Sequence, residues 1–313
     1  MASCFLCGTA MVPRFKTRDH LRPAVPTEYS LAWCASCAFG RIEGEFTPAE
    51  VAAFYTDDYY THVARNDAGQ SSMRLLDRLR VHLAWRADRG VDLSPKEVRQ
   101  SRQRPTLCDV GCGAGHAMSA FKQAGYDALG VEPDPAARAL ASRIGEVHAG
   151  RAEALPEAIA GREFDVVLLS HVLEHCIDPA AALCNVKRML GPQGTAIVEV
   201  PNNAALAFEM YGPVWFFADI PRHLQFFTER SLRKALSHAG LRVTGVIYTG
   251  YTRQFAPQWL RAQKEILKRT GLEVDGAWDG NAWALLAKTA FARPPRKYDS
   301  VRVHAVHEDA SRN

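Results

Sequence analysis

Asp109, Gly111, Gly113 and Gly115, with Glu132 beyond them, carry the clearest chemical content in the chain. They lie in Leu107-Cys108-Asp109-Val110-Gly111-Cys112-Gly113-Ala114-Gly115 and, about 20 residues after the turn, Val131-Glu132-Pro133. An apolar run ends in a glycine-rich turn, an amphipathic segment follows, and a second apolar run ends in an acid. That is the order of a nucleotide-binding β-α-β unit. The glycines let the backbone turn sharply and come close to a ligand. Glu132 stands where a carboxylate takes both hydroxyls of a ribose. A dinucleotide site needs its third glycine where this chain has His116, so no space is kept for a pyrophosphate. A nucleoside without phosphates fits better.

A second group is Cys4-x-x-Cys7 and Cys34-x-x-Cys37, four of the eight cysteines. Each pair points two sulfurs at one place, and two pairs complete a tetrahedron, the pattern of a structural zinc site with Cys4, Cys7, Cys34 and Cys37 as ligands. The segment between the pairs is too poor in apolar residues to fold alone, and a metal would supply the missing stabilisation. Four thiolates leave no open position for catalysis. Cys108, Cys112, Cys176 and Cys184 read as small packing residues.

These groups need elements to hold them. Tyr29–Trp33 and Ala38–Ile42 alternate as strands entering and leaving the second cysteine pair. Thr47-Pro48-Ala49-Glu50 is a helix start. Tyr55, Tyr59 and Tyr60 form an aromatic patch. Met73, Leu76, Leu79 and Leu83 make a helical stripe within Ser71–Arg89. Residues 94–105, polar and basic between Pro95 and Pro105, read as a mobile linker. Strands are expected near 106–110, 127–131, 145–149, 165–170 and 195–200, alternating with helices, hence a doubly wound, mostly parallel sheet. Ser231–Gly240 reads as a helix, Leu241–Tyr248 as a sixth strand and Pro257–Gly271 as a helical insertion. Asn281–Ala290 is the candidate seventh strand, with a pattern that also suits a helix. Residues after Arg293 are expected to fray.

The glycine turn resembles the first motif of the class I S-adenosylmethionine-dependent methyltransferases. Phe164-Asp165-Val166-Val167-Leu168-Leu169-Ser170-His171-Val172-Leu173-Glu174-His175, followed by Asp178-Pro179, resembles their fourth strand and what comes after it. Gly191-Pro192-Gln193-Gly194 leading into Thr195–Asn202 resembles their turn and fifth strand. The likeness covers roughly residues 105–250. The N-terminal cysteines make it similar to a bacterial subgroup acting on small molecules or glycans. It implies a Rossmann-like α/β domain with a seven-stranded sheet at 105–292, a zinc ribbon at 1–45, a helical connector and linker at 46–104, and a frayed tail at 293–313. It implies S-adenosylmethionine as cofactor, lined by Asp109, Gly111, Cys112, Gly113 and Gly115. Glu132 would hold the ribose, Ala152 and Glu153 would lie near the adenine, and Ser170 and His171 would close the pocket. Arg151 stands where the family often has an acid.

A hydroxyl acceptor must lose a proton, and histidine is the natural base. His171 and His223 are the candidates, with His175 more often structural. His223 lies in Asp219–Thr228, after the aromatic stretch Tyr211–Phe217, an insertion placed to cover an acceptor. The expected activity is methyl transfer to oxygen, less readily nitrogen or carbon, of a small metabolite, sugar or glycan precursor. An RNA base methyltransferase is the alternative, but Ser170-His171-Val172 is not the motif of exocyclic amine methylation. A non-catalytic cofactor-binding protein is the third reading. The net charge of +4 is mild and speaks against nucleic acid. No run reaches the length of a membrane span. The start does not look like a signal peptide, so a cytoplasmic protein is expected.

Overall fold

The computed structural model describes residues 3–55, 74–98, 103–272 and 282–310. Tyr59, Tyr60 and Met73 lie outside them. The N-terminal strands β1 (Val12–Arg18), β2 (Glu28–Cys34) and β3 (Phe39–Ile42) form an antiparallel ladder. A helix α1 (Pro48–Ala52) starts at a capping box in which Thr47 and Glu50 satisfy each other's backbone N–H. Helix α2 (Leu75–Ala87) follows.

The second sheet is built from β4 (Thr106–Val110), α3 (His116–Gln123), β5 (Asp127–Val131), α4 (Pro135–Ala141), β6 (Val147–His148), β7 (Phe164–Ser170), α5 (Pro179–Met189) and β8 (Leu190–Pro201). After these come α6 (Leu206–Tyr211), β9 (Gln225–Phe226), α7 (Glu229–His238), β10 (Leu241–Thr249), α8 (Pro257–Thr270), α9 (Ala282–Thr289), α10 (Pro294–Lys297) and β11 (Ser300–His307). The strand order is β10-β11-β8-β7-β4-β5-β6. β4, β5, β6, β7 and β8 run parallel, and β11 is antiparallel to both neighbours. The inner strands are buried on both faces, which is why they read as unbroken apolar runs.

Four expectations are corrected. Asn281–Ala290 does not supply the seventh strand. Ala282, Leu285, Leu286 and Thr289 are its buried residues, a helical spacing, and they form α9. The seventh strand is β11, inside the supposed frayed tail, so the methyltransferase domain does not end at residue 292. Its Val301, Val303 and Ala305 alternate with Arg302 and His304. That polar face is buried because acids meet it: Arg302 binds Glu199 (2.6 Å) and Glu97 (2.7 Å), and His304 binds Glu97 (3.0 Å). The same contacts pin the start of the supposed mobile linker, where Ser94 caps a turn over Pro95–Glu97. Cys184, finally, is exposed, not packed like Cys108, Cys112 and Cys176.

The cysteine-bearing sheet is not closed on itself. β9, from beyond residue 220, pairs with β3 as its fourth strand. The insertion between β8 and α7 is thereby stitched to the N-terminal strands, which no local pattern announces.

Candidate active site

Gly111 and Cys112 donate their N–H groups to Val131 O (2.7 and 3.2 Å), closing the turn after β4 against the end of β5. Gly111 has φ +74°, and a Cβ there would run into Val172. Gly115, at φ +84°, begins α3 hard against Ala141 and Ile144. Only glycine meets both demands, positive φ and close approach. Around Gly113 there is open space. Glu132 holds the turn open to this space, accepting from Gly113 N (2.8 Å) and Asp134 N (2.9 Å). Asp109 is buried, its Oδ2 has no partner among the described residues, and burial, reinforced by Glu132, pushes its carboxyl up to about 7. An unfilled acceptor, a paired acid and a Cβ-free turn fit the amine and ribose of a nucleoside-bearing amino acid.

Ala152 is buried and its carbonyl takes a hydrogen bond from Asn185 (2.9 Å). Glu153 is tied to the backbone of Ile177 (2.8 Å). Its carboxylate therefore organises the loop after β7. Ser170 ends β7, and His171 follows at φ +57°, its N–H bonded to Glu199 O (2.8 Å).

The His171 ring lies between two acids, Glu174 (3.2 Å) and Glu199 (3.5 Å). Burial disfavours its charge, but the two carboxylates outweigh burial and raise its pKa to about 10. His171 is thus an imidazolium at neutral pH, a donor and not a free base. His223 is the opposite case. Burial, then the neighbouring His175, lowers it to about 4. Its Nδ1 lies 2.8 Å from Phe217 O, and a carbonyl only accepts. The proton therefore sits on Nδ1 and Nε2 keeps a lone pair. His175 packs edge-on against it (4.6 Å between rings), with Nδ1 near Arg222 O (3.0 Å) and Tyr55 Oη (2.9 Å).

Glu174, His175 and His223 each place one polar atom within 4.8 Å of the others. Glu174 is buried, and its Oε2 lacks a partner among the described residues. Sequence reasoning missed Glu174 and Glu199. The signal was available in part: an acid closing an apolar strand, as Glu199 does, has to be paired.

The insertion roofs this cluster. Phe217 stacks on His171 (6.3 Å) and on Trp259 of α8 (5.2 Å). Beside it is a cleft lined by Tyr211, Trp215, Phe217, Trp259, Gln254 and Gln263. Arg222 anchors the roof from below. Fully buried, it binds Asp219 (2.7 Å), Asp19 (2.9 Å) and Phe54 O (3.3 Å).

The four cysteines also come together. The sulfurs of Cys4, Cys7, Cys34 and Cys37 lie within 4.8 Å of one another, with Cys7 and Cys34 3.6 Å apart. Sulfurs around a tetrahedral zinc, at about 2.3 Å each, are separated by about 3.8 Å. Lys234 of α7 donates to Cys37 (3.5 Å), a cation beside a thiolate cluster.

A parallel sheet with an antiparallel seventh strand, and a glycine turn facing an acid at the strand ends, define an S-adenosylmethionine-dependent methyltransferase. The profile of a family described as a methyltransferase domain matches residues 80–246, and the chain belongs to that family. Two relatives carry the name ubiquinone biosynthesis O-methyltransferase. The one from Rhodopseudomonas palustris is 31% identical over 179 residues, 52% of this chain and 69% of the relative. The one from Cereibacter sphaeroides is 30% identical over 208 residues, 62% of this chain and 82% of the relative. A solved structure titled a putative methyltransferase from Bacillus halodurans superposes with a TM-score of 0.47 at 16% identity, covering 66% of this chain and 94% of that one. The cofactor is S-adenosylmethionine. No helix among the described residues is long and apolar enough to cross a membrane.

Proposed function

We propose that the enzyme methylates an oxygen of a small acceptor that carries an apolar ring or chain. One observation carries this reading: the neutral His223, its Nδ1–H spent on Phe217 O, beside a Glu174 oxygen that has no partner among the described residues, in the turn after β7. A lone pair next to a carboxylate is what a hydroxyl needs in order to give up its proton. The cofactor supplies an already activated methyl group. The protein's share is placement, and orientation alone is worth about 7–11 kcal/mol in the best cases. Glu132 takes the ribose hydroxyls, Asp109 and the turn Gly111–Gly115 hold the amino-acid end, and His171, held between Glu174 and Glu199, closes the pocket at the strand end. Phe217 and Trp259 pack on the acceptor's apolar part. The relatives named for O-methylation support oxygen over nitrogen or carbon.

The test is methyl transfer from labelled S-adenosylmethionine to a panel of phenols, sugars, small amines and an RNA oligonucleotide. Label on phenolic or other hydroxyls flanked by apolar groups is expected, and it should persist in a chelator too weak to strip four thiolates. Label on amines or RNA alone overturns the reading. Turnover that stops in the chelator and returns with a divalent ion moves proton removal from His223 to a cation among Glu174, His175 and His223.

We also propose that Cys4, Cys7, Cys34 and Cys37 bind zinc as a structural site. The purified chain should then carry one equivalent of zinc, and Cys34→Ser should lose it and loosen the β1–β3 sheet. A metal-free wild type with an intact sheet contradicts the site.

A further inference from the structure

Helix α2 is inside out. Leu75 is 80% exposed, Leu76 65%, Trp85 64%, Leu79 47% and Leu83 42%, while Arg80 and Ala84 are buried. Arg80 Nη2 binds Asp77 (2.8 Å) and Phe255 O (3.3 Å) there, while its Nε has no partner among the described residues. Leu75, Leu79 and Leu83 recur every fourth residue with Leu76 alongside, one continuous apolar strip about 12 Å long. A buried arginine under four exposed leucines is the reverse of what burial favours.

The charges along the segment are sorted as sharply. Arg74, Arg78 and Arg89 are exposed. Both acids are turned inward: Asp77 to Arg80, and Asp88 to Thr252 (2.7 Å) and Gly90 N (2.8 Å). Among the described residues, the outward face of α2 therefore pairs leucines and a tryptophan with arginines, and its one acid, Asp77, is tied to Arg80. On the neighbouring α9, Trp283 is also partly exposed. Apolar strip, interfacial tryptophan and basic flank are the composition of a helix that lies in a bilayer surface, not across it. A second copy fits less well. Two such faces about a two-fold axis bring arginines together, and a single 13-residue helix falls short of the roughly 20–30 residues a side of a standard interface.

We propose that α2 docks on an anionic lipid bilayer, with Leu75, Leu76, Leu79, Leu83 and Trp85 among the acyl chains and Arg74, Arg78 and Arg89 against lipid phosphates. Its inner face, through Ala84, rests on the core cluster that contains Tyr211, Trp215 and Phe255.

Co-sedimentation of the full chain with phosphatidylglycerol-containing vesicles tests this. Binding should be at least roughly tenfold stronger than to phosphatidylcholine alone and should weaken as salt rises. The double variant Leu79→Glu, Leu83→Glu should lose binding while keeping its melting temperature and turnover, because both side chains are partly exposed and belong to no buried core cluster among the described residues. Arg78→Glu should weaken binding to the anionic vesicles only. Absence of wild-type binding overturns the proposal, as does retained binding by the double variant. A wild-type dimer in sedimentation velocity that the double variant splits into monomers overturns it in favour of a second copy.

Discussion

Arg222→Met should lower stability by about 3–5 kcal/mol, the largest single effect expected outside the chemistry. The guanidinium is wholly buried between Asp19, from the turn after β1, and Asp219, from the roof of the acceptor site. Methionine fills much of the volume but neutralises nothing, so the two buried carboxylates lose the cation they share and Asp19 is left with Arg22 (2.7 Å). Burial alone would raise both acids; Arg222 overrides it and holds both below the ordinary carboxylate range. The sign follows. Groups with depressed folded-state values contribute stability above about pH 4 and lose it as pH falls further. Equilibrium urea melts at pH 7 should show the deficit, and it should shrink toward pH 3. Arg222→Lys should recover only part, since a single ammonium cannot serve two acids in a fixed fork. A loss below about 1 kcal/mol for the methionine variant means that the acids find solvent or other partners.

Arg222 also marks the limit of what local pattern reveals. The sheet strands β4, β5, β7 and β8 were legible because burial on both faces forces unbroken apolar runs between glycine and proline turns. The glycine turn and Glu132 were legible because ligand approach demands particular residue types at fixed spacing. The cysteine pairs were legible for the same reason. What stayed hidden are partnerships across the chain. Asp19 and Arg222 are about 200 residues apart, and Glu97 and Arg302 similarly so. Each of these residues looks solvated in its own window. The polar alternation of β11 read as a tail because Glu97 and Glu199, which bury Arg302, lie elsewhere. The stripe on α2 shows a different limit: helical periodicity announced the helix but not where its apolar face turns, since periodicity says which residues share a face and not which way that face points.

The same distinction governs the two histidines. Both stood out as candidate bases, yet their neighbours give them opposite charges. On the proposed assignment, His223→Ala should cut turnover by roughly 10²–10⁴ while leaving S-adenosylmethionine affinity within about threefold. The affinity should hold because the ring is grouped with Glu174 and His175, while the carboxylate assigned to the ribose, Glu132, is held by Gly113 and Asp134. The pH profile supplies a check that a merely structural role would not pass. His223 accepts a proton only when neutral, so the wild-type rate should rise as pH climbs through about 4. His171 bridges Glu174 and Glu199 only while charged, so the rate should fall as pH climbs through about 10. A broad plateau should lie between, unlike the limb near 6.5 expected of an unperturbed imidazole. His171→Gln is the informative companion. It removes a cation from between Glu174 and Glu199, so it should weaken cofactor binding as well as turnover. If His223→Ala turns over normally and His171→Gln is inactive, the base assignment fails and proton transfer must run through the His171 ion pairs. If neither slows the reaction, the acceptor arrives already ionised, and placement beneath Phe217 and Trp259 is the whole of the protein's contribution.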